Sequence, residues 1–317
     1  MNTAVAFFTF NRLDAAMQVF ERIRQAQPPR LLLVSDGPRS TVEGEEEKVK
    51  SVRDYIESHI DWECEVLKNY APSNMGCGHR ISSGLDWVFS IVDEAMIIED
   101  DCIPEDGFFR FCEEMLEHYR DDDRVMAVCG CNMASDYDTE YDYLFTRGIH
   151  TWGWASWRRA WELFDFDMLS WPEHRKDPIW KKYLPLNARW FFTSEFEVLY
   201  RHLYDVWDYQ LMYAGMINDR LMIVPCKSLV TNVGFSEEAT NTKTFPQGYR
   251  IQNSEFPFPI TYRDEVKWDE EFDRLFFKRV GRYGWKAKIK LFLGLDVNVG
   301  YVEAFQNLFK RKRKKGR

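Results

Sequence analysis

The sequence predicts an α/β fold with a mixed, mainly parallel sheet that is flanked by helices. Over the first hundred residues, short apolar runs alternate with amphipathic stretches, which is typical of successive strand–helix–strand units. The chain has 317 residues, 45% of them hydrophobic, so it can bury a sizeable core. Polar or acidic residues follow several of the apolar runs, as expected where an open α/β sheet binds ligands.

The first two strands are predicted from apolar runs that end in turn signals. Residues 4–9 predict a strand, and apolar residues at helical spacing over 13–23 predict the helix that follows. Residues 31–34 predict the second strand, which stops at a Ser-Asp-Gly-Pro turn that contains Asp36. A charged helix over 43–58 comes next.

A third strand is predicted around residues 63–67, followed by the loop NYAPSNMGCGHR with its two glycines and one proline. The next helix has apolar residues at helical spacing over 81–92. Residues 95–98 predict a fourth strand, which runs directly into the acidic triplet 99–101.

The carboxyl ends of these predicted strands carry the polar candidates for a site. Because the carboxyl ends of parallel strands meet at one edge of a sheet, Asp36, the 74–80 loop and the acidic triplet should line one crevice. Residues 143–208 are rich in tryptophan and predict a less regular half that shapes an acceptor side. We therefore expect a donor half at 1–130, an acceptor-side half at 131–265, and a basic helical tail at 266–317.

The acidic triplet Glu99-Asp100-Asp101 indicates a cation site. Like charges this close raise one another's pKa unless a positive group neutralises them. Mg²⁺ and Mn²⁺ accept one or two carboxylates and fill their other positions with water and substrate phosphates. Asp101 is the expected ligand. In the alternative reading, Glu99 and Asp100 cap a helix beginning near Glu105 or lie in solvent.

An ordered set of motifs carries a resemblance to a known family. Asp36 after the second strand is followed by HRISSGLDWVF, IIEDDCIPEDGFFRF, AVCGCN, LFTRGIHTWGWASWRRAW and VWDYQ. In this order the motifs resemble GT-A-type glycosyltransferases over residues 5–242. They are most similar to N-acetylglucosaminyltransferase I and to bacterial enzymes labelled hemolytic-protein-like glycosyltransferases. The resemblance implies a GT-A, Rossmann-like sheet and a nucleotide-sugar donor.

The resemblance also implies roles for the residues near the donor. Asp101 would bind Mn²⁺ (or Mg²⁺), while Glu99 and Asp100 would face the nucleotide or the donor sugar. Asp36 would contact the nucleoside, and Arg12 would lie near the nucleotide.

Trp207-Asp208 resembles the family's Trp-Asp pair, in which the aspartate is the base and the tryptophan borders the donor sugar. A positioned carboxylate can take the proton of the attacking hydroxyl and accelerate transfer by about 10²- to 10⁴-fold. One base and no covalent intermediate imply inversion at the sugar. Surface solvation is the alternative for Asp208, and Asp205 is its nearest rival as the base.

Further candidates rest on residue type alone. Arg80, at a helix start, suits a diphosphate, although a surface arginine is equally compatible with the pattern. His150 could hydrogen-bond an acceptor or pack as a neutral ring beside aromatic residues. Trp152 and Trp154 are candidates for stacking on the acceptor sugar, against the alternative of core packing.

Charge is unevenly distributed along the chain. The net charge is −9, yet from Lys278 onward 13 lysines or arginines stand against 2 acids, a local charge of +11. The first 277 residues therefore carry −20 and should repel nucleic acid. Aromatic and aliphatic residues between the C-terminal lysines predict an interfacial anchor on an anionic membrane surface. A solvated tail or RNA adhesion is the alternative.

Location and redox state follow from what the sequence contains. The first apolar run has no basic region before it and no small-residue cleavage site, and about 18 consecutive apolar residues occur nowhere. We therefore expect a cytoplasmic protein that is peripheral on the cytoplasmic face of the membrane. The seven cysteines lack CxxC spacing and should be reduced, buried thiols. The stretch 232–249 predicts a mobile loop that closes over bound donor, with Asn241 where many GT-A enzymes carry a histidine metal ligand.

The function predicted from these features is an inverting, divalent-metal-dependent glycosyltransferase. Its donor would be a nucleotide-diphosphate sugar, UDP-GlcNAc by resemblance, and its acceptor a glycan or lipid-linked glycan. A sugar-nucleotide nucleotidyltransferase is a weaker alternative, because the stretch FTFNRLD after the first strand lacks a glycine-rich, triphosphate-binding loop. A noncatalytic, membrane-docked carbohydrate-binding scaffold is supported only by the basic tail and the tryptophan excess.

Overall fold

The computed structural model describes residues 1–235 and 255–280. Most of the predicted closing loop, including Asn241, lies outside the described residues, and so does most of the predicted basic tail. Within the described ranges, none of the helices combines the length and hydropathy that a bilayer crossing requires.

The first half of the chain alternates strands and helices as predicted. Its elements are β1 Ala4–Thr9, α1 Leu13–Ala26, β2 Arg30–Ser35, α2 Glu45–Ser58, β3 Glu65–Tyr70, α3 Cys77–Ile91, β4 Glu94–Glu99, β5 Cys102–Pro104, α4 Phe108–His118 and β6 Val125–Cys129. Strands β1, β2, β4 and β6 are almost completely buried, because helices cover both faces of a parallel sheet. This burial explains why they appear in the sequence as continuous apolar runs.

The second half contributes shorter and less regular elements. They are β7 Tyr143–Thr146, β8 Trp154–Trp157, α5 Arg158–Trp161, α6 Trp171–His174, a 3₁₀ turn Ile179–Tyr183, α7 Leu186–Tyr200, α8 Asp208–Ile217, β9 Leu221–Pro225 and β10 Val230–Asn232. Residues 270–280 are also helical.

Eight of the described strands form one sheet in the order β3-β2-β1-β4-β8-β6-β9-β7. Strands β3, β2, β1 and β4 are parallel to their neighbours, while β8 is antiparallel to both β4 and β6. The pair β6 and β9 is parallel, and β7 is antiparallel to β9. The predicted α/β class, with a mixed and mainly parallel sheet between helices, is confirmed. Because this sheet uses strands from both sides of residue 130, the proposed domain division stays a prediction.

The strand order creates a switch point beside β1. The chain moves from β1 outward to β2 and β3, and then returns to place β4 on the other side of β1. Loops that leave β1 and β4 at their carboxyl ends therefore diverge to opposite sides of the sheet, and a crevice opens between them. Thr9 ends β1 and Glu99 ends β4, so the acidic triplet begins at this crevice.

Helix α3 lies unusually close to the sheet. A Cβ atom at Gly84 would lie 2.6 Å from the Phe8 ring and 2.7 Å from a Val34 methyl group, so only glycine fits at this contact. Gly76, with φ +86°, turns the preceding loop into the helix. Together the two glycines hold the start of α3 at the carboxyl edge of β1 and β2.

The acids that follow β4 do not cap the next helix. Helix α4 begins at Phe108 after Gly107, and β5 lies between it and the acidic triplet. Strand β5 pairs with β10 in a separate two-stranded sheet, in which Cys102 is opposite Asn232. The alternative in which Glu99 and Asp100 cap a helix near Glu105 is therefore wrong.

Candidate functional site

A cleft of about 380 Å³ lies at the switch point. The predicted convergence is confirmed, because Asp36, residues of the 74–80 loop and the acidic triplet all line it. The predicted site residues that line the cleft are Arg12, Asp36, Arg80, Glu99, Asp100, Asp101 and Trp152. Asp208, Trp207, Trp154 and His150 are not among the described lining residues.

Asp100 joins the carboxyl ends of β1 and β4. Its side chain is buried; one carboxylate oxygen accepts the Phe10 backbone N–H at 3.0 Å and the other accepts the Arg12 guanidinium. Burial raises the pKa of Asp100, whereas the Arg12 charge lowers it. With both oxygens bound to protein donors, Asp100 fixes the geometry of the crevice.

Arg12 also reaches the third acid of the triplet. Its Nη2 lies 3.0 Å from Asp101 Oδ2, so one guanidinium neutralises two adjacent carboxylates. Burial and the neighbouring Asp101 and Asp100 charges raise the pKa of Glu99 well above its usual range. The positive charge of the described neighbours therefore offsets only part of the negative charge that the three acids would carry if all were ionised.

Asp101 is held at the meeting point of β5 and β10. Its backbone oxygen accepts the Val233 N–H at 2.9 Å, and a Cβ atom at Gly234 would overlap its carboxylate. Residues 232–235 thus approach the acidic triplet directly, and Phe235 lines the same cleft.

Asp36 organises the loop that leads into α3. Its Oδ1 accepts the backbone N–H groups of Gly37 at 2.8 Å and Met75 at 2.9 Å, and its Oδ2 accepts Asn74 Nδ2 at 2.8 Å. Burial raises the pKa of Asp36, although the Met75 and Gly37 N–H groups act in the opposite direction. The carboxylate therefore shapes this wall of the cleft.

Arg80 brings a buried guanidinium to the cleft wall. Its Nη2 donates to Asn69 Oδ1 at 2.9 Å, while its Nε has no hydrogen-bond partner among the described residues. Burial lowers the pKa of Arg80, and the nearby Asp36 charge raises it. The positive charge of Arg80 at the cleft wall is suited to an anionic ligand.

The predicted tryptophans separate into two environments. Trp152 lines the cleft and packs edge-on against Phe235, with ring centroids 5.2 Å apart. Trp154 and Trp207 are buried and stack on each other at 5.5 Å with planes 26° apart. Contacts of Trp154 and Trp207 with a sugar stay predictions.

His150 is a packed, neutral ring. It is fully buried, its Nδ1 accepts the Met133 backbone N–H at 3.0 Å, and it stacks near Phe272 and Phe276. Burial lowers the pKa of His150 to about 3. Its predicted contact with an acceptor is not tested by this geometry and stays a prediction.

Asp205 and Asp208, the two candidates for the base, occupy different environments. Asp205 lines the cleft, and its Oδ1 accepts the Gly78 N–H at 2.9 Å, so this carboxylate binds the start of α3. Asp208 begins α8 and is half-buried. Burial raises the pKa of Asp208 to about 6, with a further contribution from the charge of Glu195. Asp208 lies close enough to Glu99 to raise the pKa of that acid as well.

Arg39 and Phe10 line the cleft but were not predicted as site residues. The Arg39 guanidinium lies 5.5 Å from the centre of the Phe10 ring and pairs with the buried carboxylate of Glu45. Both residues follow predicted strands at the carboxyl edge. The expectation that residues after the carboxyl ends of parallel strands line one crevice selected Asp36, and it extends to uncharged and basic residues such as these two.

The protein carboxylates fit a divalent cation only with help from a substrate. Among residues 1–235 and 255–280, no group of three or more histidine, cysteine or acidic side chains is arranged to hold a metal ion. Asp101 nevertheless presents a carboxylate to the cleft, and Mg²⁺-type sites often use one or two carboxylates together with substrate phosphates. The carboxylate oxygens of the cleft therefore fit a metal ion that binds together with a phosphate ligand.

No protein-family model matches the chain, and no curated protein matches it. Solved structures give distant likenesses. A mannosyltransferase of Pyrobaculum calidifontis, in complex with GDP-Man and Mn²⁺, is 17% identical over 51% of this chain and 45% of its own, with a TM-score of 0.36.

Two other solved structures have different activities. The 4-diphosphocytidyl-2C-methyl-D-erythritol synthase of Anaerococcus prevotii is 9% identical over 51% of this chain and 74% of its own, with a TM-score of 0.32. An apo UDP-glucose pyrophosphorylase is 10% identical over 70% of this chain and 90% of its own, with a TM-score of 0.34. At TM-scores below 0.5, these likenesses assign neither a family nor an activity to the chain.

Proposed function

We propose that the chain is an inverting, divalent-metal-dependent glycosyltransferase whose donor is a nucleotide-diphosphate sugar. The observation that carries the proposal is the content of the cleft: acidic residues at the end of β4 line it together with Arg12 and Arg80. Basic groups suit the phosphates of a donor, and the acids suit the cation that accompanies them.

Asp101 would hold Mn²⁺ (or Mg²⁺), which would supply charge stabilisation at the departing diphosphate when it is bound. Arg12 forms ion pairs with Asp100 and Asp101 and so fixes the positions of both carboxylates. Arg80 brings a second guanidinium to the cleft wall, where its charge suits a phosphate. Asp36 holds the 74–75 loop against the expected position of the nucleoside. Trp152 and Phe235 offer an aromatic wall for a sugar ring.

Asp208 is the proposed base. A carboxylate with a pKa of about 6 is a better proton acceptor near neutral pH than an ordinary aspartate, and burial provides that value. Asp205 is exposed and binds the N–H of Gly78, so it has a structural task at the start of α3. The acceptor hydroxyl would lose its proton to Asp208 as its oxygen attacks the anomeric carbon opposite the departing diphosphate. Displacement in one step inverts that carbon.

The donor nucleotide, the sugar and the acceptor are narrower parts of the proposal. UDP and GlcNAc rest on the resemblance of the motifs, as does a glycan or lipid-linked glycan acceptor. A nucleotidyltransferase would grip a triphosphate with a glycine-rich loop after β1, and residues 8–12 contain no glycine. We therefore favour sugar transfer over nucleotidyl transfer.

Mn²⁺-dependent hydrolysis or transfer of a nucleotide-sugar donor tests the proposal. Asp101→Ala should lower the rate at least about 100-fold, because the metal would lose its protein carboxylate. Asp106→Ala removes another acid five residues further along, one whose side chain is 98% exposed, and it should leave the rate within about twofold of wild type. Mn²⁺-dependent turnover that persists unchanged in Asp101→Ala would refute the metal assignment.

A further inference from the structure

Leu186 and Leu169 are the most exposed large apolar side chains in the described part of the chain. Leu186 is 79% exposed and Leu169 is 74% exposed. Isolated exposed leucines are normal on protein surfaces, so exposure alone assigns neither of them a role. The residues around Leu186 differ in charge and apolar character from those around Leu169, and this difference separates the two positions.

Leu186 is the first residue of α7, and Trp190 follows one turn later on the same side of the helix. Trp190 is 47% exposed. Other aromatic residues of α7 point into the core, where Phe192 packs edge-on against Phe277 with centroids 5.5 Å apart. Leu186 and Trp190 therefore form an outward apolar pair on a helix that is anchored by its inner side.

The chain around this pair is basic. Residues 176–190 contain four lysines or arginines and one acid, although the first 277 residues together carry −20. No ion pair among the described residues involves Lys181 or Lys182, whose ammonium groups lie 5.4 Å from the centre of the Trp180 ring and 4.6 Å from that of the Tyr183 ring. Lys182 also lies near Asp219. By contrast, residues 162–173, which surround Leu169, contain four acids and no lysine or arginine.

The α7 surface also adjoins the point where the described chain stops. Asn187 Nδ2 donates to the Lys278 backbone oxygen at 2.9 Å, which ties the first turn of α7 to the helix at 270–280. In sequence, residues 281–317 carry 11 lysines or arginines against 2 acids. Lys278, which precedes this basic segment by three residues in sequence, therefore lies beside the first turn of α7.

We propose that Lys181, Lys182, Leu186 and Trp190, here called the α7 face, dock on an anionic membrane surface. Leucine and tryptophan side chains bury apolar area at the boundary of headgroups and acyl chains, and lysines gain from the negative potential of anionic lipids. The α7 face contributes two lysines and no acid, whereas the first 277 residues together carry −20, and its sign is opposite to that of an anionic membrane. Lipid binding of this kind requires neither donor nor acceptor, so the proposal is independent of the proposed sugar transfer.

The position of α7 connects this surface to the cleft. The helix has 15 residues and spans about 22 Å, and the segment that follows it includes Asp205, which lines the cleft. The chain therefore leads from the α7 face through one helix to a residue of the cleft wall, five residues beyond Tyr200.

Sedimentation of the full chain with liposomes tests the proposal. Equimolar phosphatidylcholine and phosphatidylglycerol vesicles should bind the wild type, and Leu186→Ser with Trp190→Ser should weaken partitioning about tenfold. Lys181→Gln with Lys182→Gln should weaken it similarly and reduce its salt dependence. Leu169→Ser is the matched control and should stay within about twofold of wild type, because its acidic surroundings disfavour an anionic surface.

All variants keep residues 281–317, so differences between them isolate the α7 face from the basic tail. Unchanged thermal melting would confirm that the exposed substitutions leave the fold intact. Wild-type partitioning of the Leu186→Ser, Trp190→Ser variant would overturn the proposal. A wild type that self-associates without lipid in analytical ultracentrifugation, and becomes monomeric with the same two substitutions, would overturn it in favour of an interface between copies.

Discussion

Burial determines the properties of the individual carboxylates in and around the cleft. Asp36 and Asp100 are buried and use both oxygens as acceptors from protein donors, so they fix the geometry of the walls. Asp101 stays closer to solvent, with 17% of its side chain exposed. Asp208 is half-buried, and burial raises its pKa to about 6, although the Tyr209 N–H at the start of α8 acts in the opposite direction. The four aspartates therefore differ in burial and in which partners their oxygens can bind.

The raised pKa of Asp208 predicts how transfer responds to pH. A base must be ionised to accept a proton, so kcat/KM, which follows the ionisation of the free enzyme, should fall about tenfold for each pH unit below about 6 and level off above it. Asp208→Asn should lower kcat by about 10²- to 10⁴-fold at neutral pH while donor affinity is nearly unchanged. Initial rates between pH 4.5 and 8 measure both effects.

Asp205→Asn is the comparison for Asp208→Asn, because it removes the rival carboxylate. We expect Asp205→Asn to raise KM for the donor, since the Gly78 contact at the start of α3 weakens, and to retain most of kcat. The reverse result, with an active Asp208→Asn and an inactive Asp205→Asn, would transfer the role of base to Asp205. Retention of configuration, seen by anomeric NMR of the product, would contradict a single base at either position.

Among the elements, the helix at residues 270–280 is tied to the sheet by a buried polar contact. Asp273 is fully buried at 0% exposure, and it accepts hydrogen bonds from Thr146 Oγ1, the Arg147 backbone N–H and Trp268 Nε1. These donors lie at and beyond the end of β7 and just before the helix. One carboxylate therefore connects the last described helix to the edge of the eight-stranded sheet.

Asp273→Ala should destabilise the protein by about 3–5 kcal/mol, because it leaves three donors buried without their acceptor. Glu270→Ala, in the same helix, removes only an exposed ion pair with Arg274 and should change stability by less than about 0.5 kcal/mol. Urea unfolding followed by circular dichroism measures both. Equal stability of the two variants would contradict the anchoring role of Asp273.

At the scale of the whole molecule, the cleft lies between elements that are far apart in sequence. Its described lining extends from Phe8 to Phe235 and draws on β1, β4, the start of α3 and the loop after β10. A ligand that bridges these elements binds the folded state alone and shifts the folding equilibrium toward it. Ligand-dependent stability is therefore a direct test of the site as a unit.

A nucleotide sugar together with Mn²⁺ should raise the melting temperature by a few degrees. Ligand at about 100 times its Kd stabilises the folded state by about 2.7 kcal/mol. Differential scanning fluorimetry with a panel of nucleotide sugars, with and without Mn²⁺, would also identify the nucleobase and the sugar of the preferred donor. Chelation by EDTA should remove most of the shift. A larger shift with a nucleoside triphosphate than with any sugar nucleotide would favour nucleotidyl transfer instead.

The sequence alone determined the strand–helix alternation and the edge at which the polar residues meet. Buried parallel strands require continuous apolar runs, and Asp36 and Asp101 follow such runs directly, so local pattern was sufficient for them. The predicted third strand at 63–67 was displaced, because β3 is an edge strand whose half-exposed side chains give a weak apolar pattern.

Tertiary structure decided which partner each polar side chain has. Arg12 and Asp100 are 88 residues apart in sequence, and only the pairing of β1 with β4 brings them together. The stacking of Trp154 on Trp207, and the separation of Asp205 from Asp208 in environment, likewise depend on long-range packing. Periodicity reports which face of an element is buried, whereas the identity of a neighbour across the sheet depends on strand order, which no local pattern encodes.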